Sequence, residues 1–433
     1  MPCYRRIIYC MNPILDFVSK KLKIDAHYLY KGFFWIGIAT AVVLFTNFVK
    51  STVFAHYLEP QTFGTYRYIL SIIEIASAIS LSGASAVISR SVAQGYEGTY
   101  RKGMWEYLKS SLLSVLATTG VCFYFIFKDN ALLGITIGIA GLLAPLFRTL
   151  TMYGSLLEGK KQFALNAKYQ IFSTTIPALI LMYTVTVSHS ILIILLSYFI
   201  SYIVVHGVLT LLTEKILKPN DAFDPKSKAF TLHLSIMGIL STVTEQLDKI
   251  LLFHFIGAAQ LAVYSFASAL PEQFNLLGKA LRSLINPKLS NQSITSIKRH
   301  IFRRAVLISS ACLVLFLGYI VVAPFIFHYF FVRYESAVLM SQVYALSIFL
   351  MVSIPYRLVL LAHSCTKELY QVKIVSIAVR LVSLAVMLPL LGIWGVIASF
   401  LLARFVEAGL FMYMVHFKIT EQSNSHNNIE ALE

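Results

Sequence analysis

Apolar runs long enough to cross a bilayer recur twelve times along the chain, and short polar stretches separate them. They cover about 32–57, 62–89, 105–127, 131–157, 163–186, 190–213, 229–256, 260–287, 305–327, 337–363, 369–391 and 393–416. Each meets or exceeds the roughly 20 residues that a helix needs to span the hydrocarbon. The pattern predicts an all-α polytopic membrane protein. A polar, Pro-containing connection, EKILKPNDAFDPKSK at 214–228, falls between the sixth and seventh runs. The expected organisation is therefore a segment 1–31, a first six-helix bundle 32–213, the linker 214–228, a second six-helix bundle 229–416 and a polar tail 417–433.

Basic residues orient the spans. Of 36 Lys and Arg, 25 fall in or beside connections on the side of the N-terminus, two (Lys128 and Arg333) fall in opposite connections, and nine lie inside spans. Basic loops are retained in the cytoplasm, so both termini are predicted to be cytoplasmic. The net charge of +16 is then mostly a topogenic signal with some attraction for anionic lipid headgroups. It requires no nucleic-acid partner. Composition agrees: 58% of residues are apolar and 13% charged, against about 45–50% and about 25% in soluble domains. The first 31 residues lack the compact apolar core and small-residue site of a cleavable signal, so the first span is expected to remain as an anchor. The five cysteines form no CxxC pair and read as small apolar side chains, not metal ligands.

The two halves resemble each other. FAHYLEPQTFGTYRYILS at 54–71 and LFHFIGAAQLAVYSFASA at 252–269 occupy the outward hairpin between the first two spans of each half. At this offset His56 aligns with His254, Leu58 with Ile256 and Tyr66 with Tyr264. Six spans per half gives both halves the same orientation, a parallel repeat of the kind that builds alternating-access transporters.

The nine embedded cations are Lys50, Arg67, Arg148, Lys249, Lys279, Arg282, Arg357, Arg380 and Arg404, against five acids, Glu74, Glu245, Asp248, Glu272 and Glu407. A charge near the bilayer centre costs at least about 2.5–3.5 kcal/mol, so these groups should line a wet interior or pair. Arg404 and Glu407 are three apart and can meet on one helix. Arg67 can snorkel to the outer interface. Arg380 has no acid near it in sequence. Lys50 and Lys249 fall one position apart under the repeat. A cationic excess suits an anionic ligand, with Arg binding phosphate or carboxylate oxygens bidentately and Lys acting as a point charge. Glu245 and Asp248, three residues apart, share a helical face. A buried carboxylate can take up a proton, and paired oxygens can bind Na⁺. Pro271 beside Glu272 and Pro145 before Arg148 predict kinks. The aromatic cluster Phe327, Tyr329, Phe330, Phe331 and Tyr334 reads as an interface belt. No Walker A loop, HExxH or GxSxG is present, and no soluble stretch could house a nucleotide-binding domain.

The first two spans and the seventh and eighth (LDKILLFHFIGAAQLAVYSFASALPEQF) together resemble polysaccharide-biosynthesis exporters of the O-antigen flippase type. Gly64 with Tyr66, Asp248 with Lys249, and Tyr264 carry the likeness. The resemblance implies the MATE-like fold, two six-helix lobes in a V, and transbilayer movement of undecaprenyl-pyrophosphate-linked oligosaccharide in a bacterial or archaeal cytoplasmic membrane. It also implies H⁺ or Na⁺ coupling, no other cofactor, and polysaccharide polymerase and assembly proteins as partners. On that reading Lys50, Lys249, Arg380 and Arg404 bind the anionic head, and Arg148, Arg282 and Arg357 form the cytoplasmic entrance. Glu245, Asp248 and Glu272 serve ion coupling. The rivals are an ion-coupled multidrug exporter of the same fold, which the excess of four embedded cations disfavours, and a membrane enzyme of glycan assembly.

Overall fold

Each apolar run forms helix because, away from water, only internally hydrogen-bonded backbone is tolerated. In the computed structural model the backbone is described for residues 26–289, 294–362 and 365–430, and side chains for 34–274, 305–361, 365 and 367–416. The expected segment 1–31 therefore lies almost wholly outside the described residues. The elements are α1 (Ala26–Tyr57), α2 (Pro60–Ile79), α3 (Ala84–Ala93), α4 (Thr99–Ser110), α5 (Leu112–Phe127), α6 (Ala131–Leu150), α7 (Tyr153–Gly159), α8 (Phe163–Val187) and α9 (Ile191–Leu217). They continue as α10 (Ser227–Phe255), α11 (Ala258–Leu289), α12 (Ile294–Phe330), α13 (Val338–Tyr344), α14 (Ile354–Ala362), α15 (Thr366–Leu391) and α16 (Ile393–Glu430). No strand occurs among the described residues.

Among the described residues, nine helical stretches are long and apolar enough to cross a membrane, or ten if the bent pair α2 and α3 is one span. Twelve are not reached on that criterion. The two other long helices, α10 with 29 residues and α11 with 32, carry the charges Glu245, Asp248, Lys249 and Glu272 within their apolar runs. The second expected span, 62–89, is broken: α2 and α3 meet at 53°. At the break the backbone N–H of Gly83 donates to Ser235 Oγ at 3.0 Å. A Cβ on Gly83 would fall 2.7 Å from Leu234 Cβ, so only glycine allows this approach. The tenth run is also irregular. Two 3₁₀ stretches, Val332–Ala337 and Ala345–Ser353, flank α13. A nine-residue 3₁₀ segment is longer than the usual three or four residues, and such stretches mark hinges or strained sequence.

The chain divides into two compact units, one of 1–53 with 73–242 and one of 54–72 with 243–433. In the first, α5 packs closely on α6. Gly134, Gly138 and Gly141 face Cys122 and Thr118, and a Cβ on Gly141 would overlap the Thr118 hydroxyl; such small-residue seams drive helix association in lipid. The connection after α9 is strapped down. Gly98 N donates to Ala222 O at 2.8 Å, Ser91 Oγ to Asp224 Oδ2 at 2.8 Å, and Lys102 Nζ lies 3.4 Å from the centre of the Phe223 ring.

In the second unit α15 packs along α16, with Leu358, Val359, Leu360, Val372, Phe411 and Val415 forming a core. A Cβ on Gly64 would land on the carbonyl of Ala258, so glycine lets α2 lie against the start of α11. The aromatic cluster is not simply a belt. Phe327, Phe331 and Tyr334 are fully buried, while Tyr329 and Phe330 are exposed. Phe327 lies in the last turn of α12, while Phe331 and Tyr334 follow its end, both in non-helical backbone; Phe266 stacks on Tyr334 at 4.0 Å.

Candidate functional site

The second unit gathers charges from four elements, and a tyrosine from a fifth, into one connected cluster. Asp248, on α10, is 2% exposed. Its Oδ1 accepts from the backbone N–H of Lys249 at 2.8 Å. Its Oδ2 accepts from Tyr264 Oη at 2.6 Å and from Arg380 Nη2 at 3.0 Å. A desolvated carboxylate is tolerated only when paired and hydrogen-bonded, and three donors meet that need. The Arg380 guanidinium lies 5.3 Å from the Phe400 ring centre, and that of Arg404 lies 5.6 Å from it. Tyr344, at the end of α13, stacks on Phe400 at 4.5 Å and donates its hydroxyl to Glu272 Oε1 at 3.1 Å. Arg404 also reaches Glu407 at 3.2 Å. A chain of contacts thus runs Tyr264–Asp248–Arg380–Phe400–Tyr344–Glu272 through the interior of the unit.

The other residues singled out in the sequence have different surroundings. Lys249 is half-buried, and its ammonium donates to Gln246 Oε1 at 2.9 Å. Glu245, expected on the face of Asp248, is exposed. Arg357 is exposed on α14. Arg67 is half-buried, with its Nε buried and lacking a hydrogen-bond partner. Arg282 and Lys279 lie outside the residues whose side chains are described. In the first unit Lys50 donates to Asn47 Oδ1 at 3.1 Å. There Arg148 forms an ion pair with Glu74, joining α6 to α2. Arg380, which had no acid near it in sequence, is thus paired with a carboxylate 132 positions away.

Beyond the spans, Glu97 closes the strap at the end of α9. Its carboxylate meets Lys160 Nζ at 2.7 Å and accepts from Asn220 N at 3.0 Å. Burial alone would raise its pKa; the two hydrogen bonds and the lysine charge outweigh burial and hold it below the ordinary 4.5.

Sequence reasoning missed Tyr344 and Phe400 as members of the cluster. Both sit in apolar runs where nothing in the spacing separates them from core aromatics. Tyr264 was visible as a repeat marker, and its hydroxyl within an apolar helix was the available signal that a polar partner faced it.

Residues 29–275, more than half of the chain, match the family of polysaccharide biosynthesis proteins. The chain belongs to that family. Over 278 residues it is 21% identical to a Shigella flexneri protein named "Putative O-antigen transporter"; the match covers 60% of this chain and 66% of that protein, just under two thirds. A structure of an inward-facing MATE-family multidrug resistance transporter of the MOP superfamily superimposes with a TM-score of 0.68 at 12% identity, covering 88% of this chain and 95% of that one. The lipid II flippase MurJ, in an inward closed conformation, gives 0.64 at 14% identity, covering 88% and 87%. A Pyrococcus furiosus MOP-superfamily transporter, described as having a binding pocket of reversed polarity, gives 0.63 at 13% identity, covering 90% and 95%. The family member described here is therefore a multi-pass membrane protein with the MATE-like fold.

Proposed function

We propose that this chain is a flippase. It carries undecaprenyl-pyrophosphate-linked oligosaccharide units, an O-antigen or another surface-polysaccharide repeat, from the cytoplasmic to the outer leaflet of a bacterial or archaeal cytoplasmic membrane. Family membership supports the substrate class, and the fold it shares with MurJ and MATE transporters supports alternating access. On this reading α10 and α11 complete twelve spans, bundles 32–213 and 229–416 are the moving parts, and both termini are cytoplasmic. Polysaccharide polymerase and assembly proteins receive the product.

The observation that carries the mechanism is the buried Asp248–Arg380 pair. An arginine held by a carboxylate is a stored cation: protonation of Asp248, or Na⁺ at its oxygens, weakens the pair and frees Arg380 for a pyrophosphate oxygen. The cost of an uncompensated buried charge links the two events. Lys249 beside the pair and Arg404 across Phe400 extend the cationic surface, Lys50 serves the same role in the first unit, and Arg148, Arg282 and Arg357 guide the head at the cytoplasmic entrance. Glu272 tunes the cluster through Tyr344; Glu245, being exposed, relays ions to it.

Depletion of the protein in cells tests the reading. Surface polysaccharide should fall and lipid-linked units should accumulate in the inner leaflet. The native chain should restore export, and Arg380→Gln at equal membrane level should not. Unchanged surface polysaccharide on depletion, or full rescue by Arg380→Gln, would contradict it.

A further inference from the structure

The first unit holds a half-open polar cavity of ≈140 Å³; the mechanism above uses its Arg148 as an entrance charge and leaves its hydroxyls unassigned. Six hydroxyls line it, from Ser77, Ser82, Ser85, Tyr107, Thr151 and Thr242, together with the ion pair Glu74–Arg148. It exists because α2 breaks: the turn at 80–83 sets Ser82 and Ser85 at an exposed mouth while Ser77 stays inside. Ser77 is 6% exposed, and its hydroxyl has no hydrogen-bond partner. A buried serine in a helix ordinarily bonds back to a carbonyl one turn earlier, and leaving the group unsatisfied costs about 1–3 kcal/mol. A ligand that supplies a partner recovers that cost.

Charge narrows the ligand class. Arg148 repels a cation, Glu74 repels an anion, and the pair is neutral overall. Apart from Ala78 and Met152 the remaining wall is made of hydroxyls; that of Thr151 already donates to the Arg148 carbonyl at 2.7 Å and can only accept from a ligand, while a hydroxyl without a partner, such as that of Ser77, can turn to donate or accept. That is the complement of a neutral polyol. Size narrows it further: a void of about 150 Å³ admits a six-membered ring, and the open mouth lets substituents continue outward. We propose that this cavity is a sugar subsite, which takes one uncharged pyranose ring of a glycan through Ser77 and the hydroxyls at the mouth. Its physiological role rests on the flippase reading; its binding chemistry does not.

The test uses the full chain in lipid nanodiscs and saturation-transfer NMR, with N-acetylglucosamine, galactose and glucosamine as probes and inorganic pyrophosphate as competitor. The two neutral sugars should receive saturation, cationic glucosamine should not, and added pyrophosphate should leave the sugar signals unchanged. Ser77→Ala should weaken sugar binding roughly 2- to 10-fold, the worth of one neutral hydrogen bond. Ser85→Trp, at an exposed position where folding is spared, should block the mouth and abolish it. Absence of neutral-sugar contact, displacement of the sugars by pyrophosphate, or contact unchanged in both variants overturns the subsite. A second arm compares flipping of undecaprenyl pyrophosphate with and without a glycan in proteoliposomes, where Ser85→Trp should slow only the glycan-bearing lipid. Equal rates for native chain and variant overturn the subsite and leave the flippase reading standing. Variant-sensitive sugar binding with no flipping of either lipid sustains the subsite and removes the flippase reading.

Discussion

Replacing Arg380 with Gln leaves the carboxylate of Asp248 uncompensated in a site only 2% exposed to solvent. Breaking a buried ion pair from one side costs about 3–5 kcal/mol. Two donors remain, the Tyr264 hydroxyl at 2.6 Å and the Lys249 N–H at 2.8 Å. Hydrogen bonds to a charged group contribute about 1.5–3 kcal/mol each, so the loss should sit near the lower end, about 3 kcal/mol. Asp248→Asn should cost less, because Arg380 keeps the face of Phe400 at 5.3 Å, a cation–π contact of about 0.5–2 kcal/mol. The double variant removes both charges and should recover at least about 1 kcal/mol of the summed losses, the range expected for residues in direct contact. Denaturant unfolding of the four purified proteins in one detergent, followed by intrinsic fluorescence, measures the cycle. Single variants within about 0.5 kcal/mol of the native chain, or strictly additive losses, would refute the claim that this pair is desolvated and coupled.

Three further outcomes follow from the geometry. The Glu97–Lys160 contact should add stability above the ordinary Glu value of 4.5 and lose it as pH falls through the lower value that Glu97 has in the fold; thermal unfolding across that range should show the loss, and Glu97→Gln should flatten it. Gly141→Val drives a side chain into Thr118 and should destabilise the first unit by about 1–3 kcal/mol, read as a lowered unfolding midpoint in detergent; an unchanged midpoint would mean that the α5–α6 seam is looser than drawn. Impermeant maleimide applied to intact spheroplasts should label a lone cysteine at Asp129 and spare one at Lys161; the reverse pattern would invert the topology deduced from the basic loops.

Much of the helical layout was legible because lipid makes hydrophobic run length a direct signal. The run 131–157 became Ala131–Gly159, and 163–186 became Phe163–Val187. The break at 80–83 was not legible, since Ser-Leu-Ser-Gly is tolerated within a membrane helix and the bend is fixed by the approach of Leu234 and Ser235 to Gly83. The 3₁₀ stretch Ala345–Ser353 reads ALSIFLMVS, an apolar string with no periodic feature that separates it from α-helix. Among the charges, Arg404 with Glu407 was readable because i, i+3 neighbours meet on one helix. Arg380 with Asp248 was not, because the pairing depends on tertiary packing of α10 and α15. The burial of Phe327, Phe331 and Tyr334 was not legible, because the chain leaves the α-helix after Phe330 and no periodic spacing marks a buried face across that change; aromatic composition alone favoured a belt.

The most direct test is a protection assay in sealed proteoliposomes. A pyrophosphate-linked oligosaccharide lipid is placed in both leaflets, and a membrane-impermeant glycosidase is added outside. The native chain should expose the inner-leaflet pool to cleavage faster than empty liposomes and faster than Arg380→Gln, and an imposed H⁺ or Na⁺ gradient should change that rate. An inner pool that stays protected with the native chain under either gradient would contradict the flippase account.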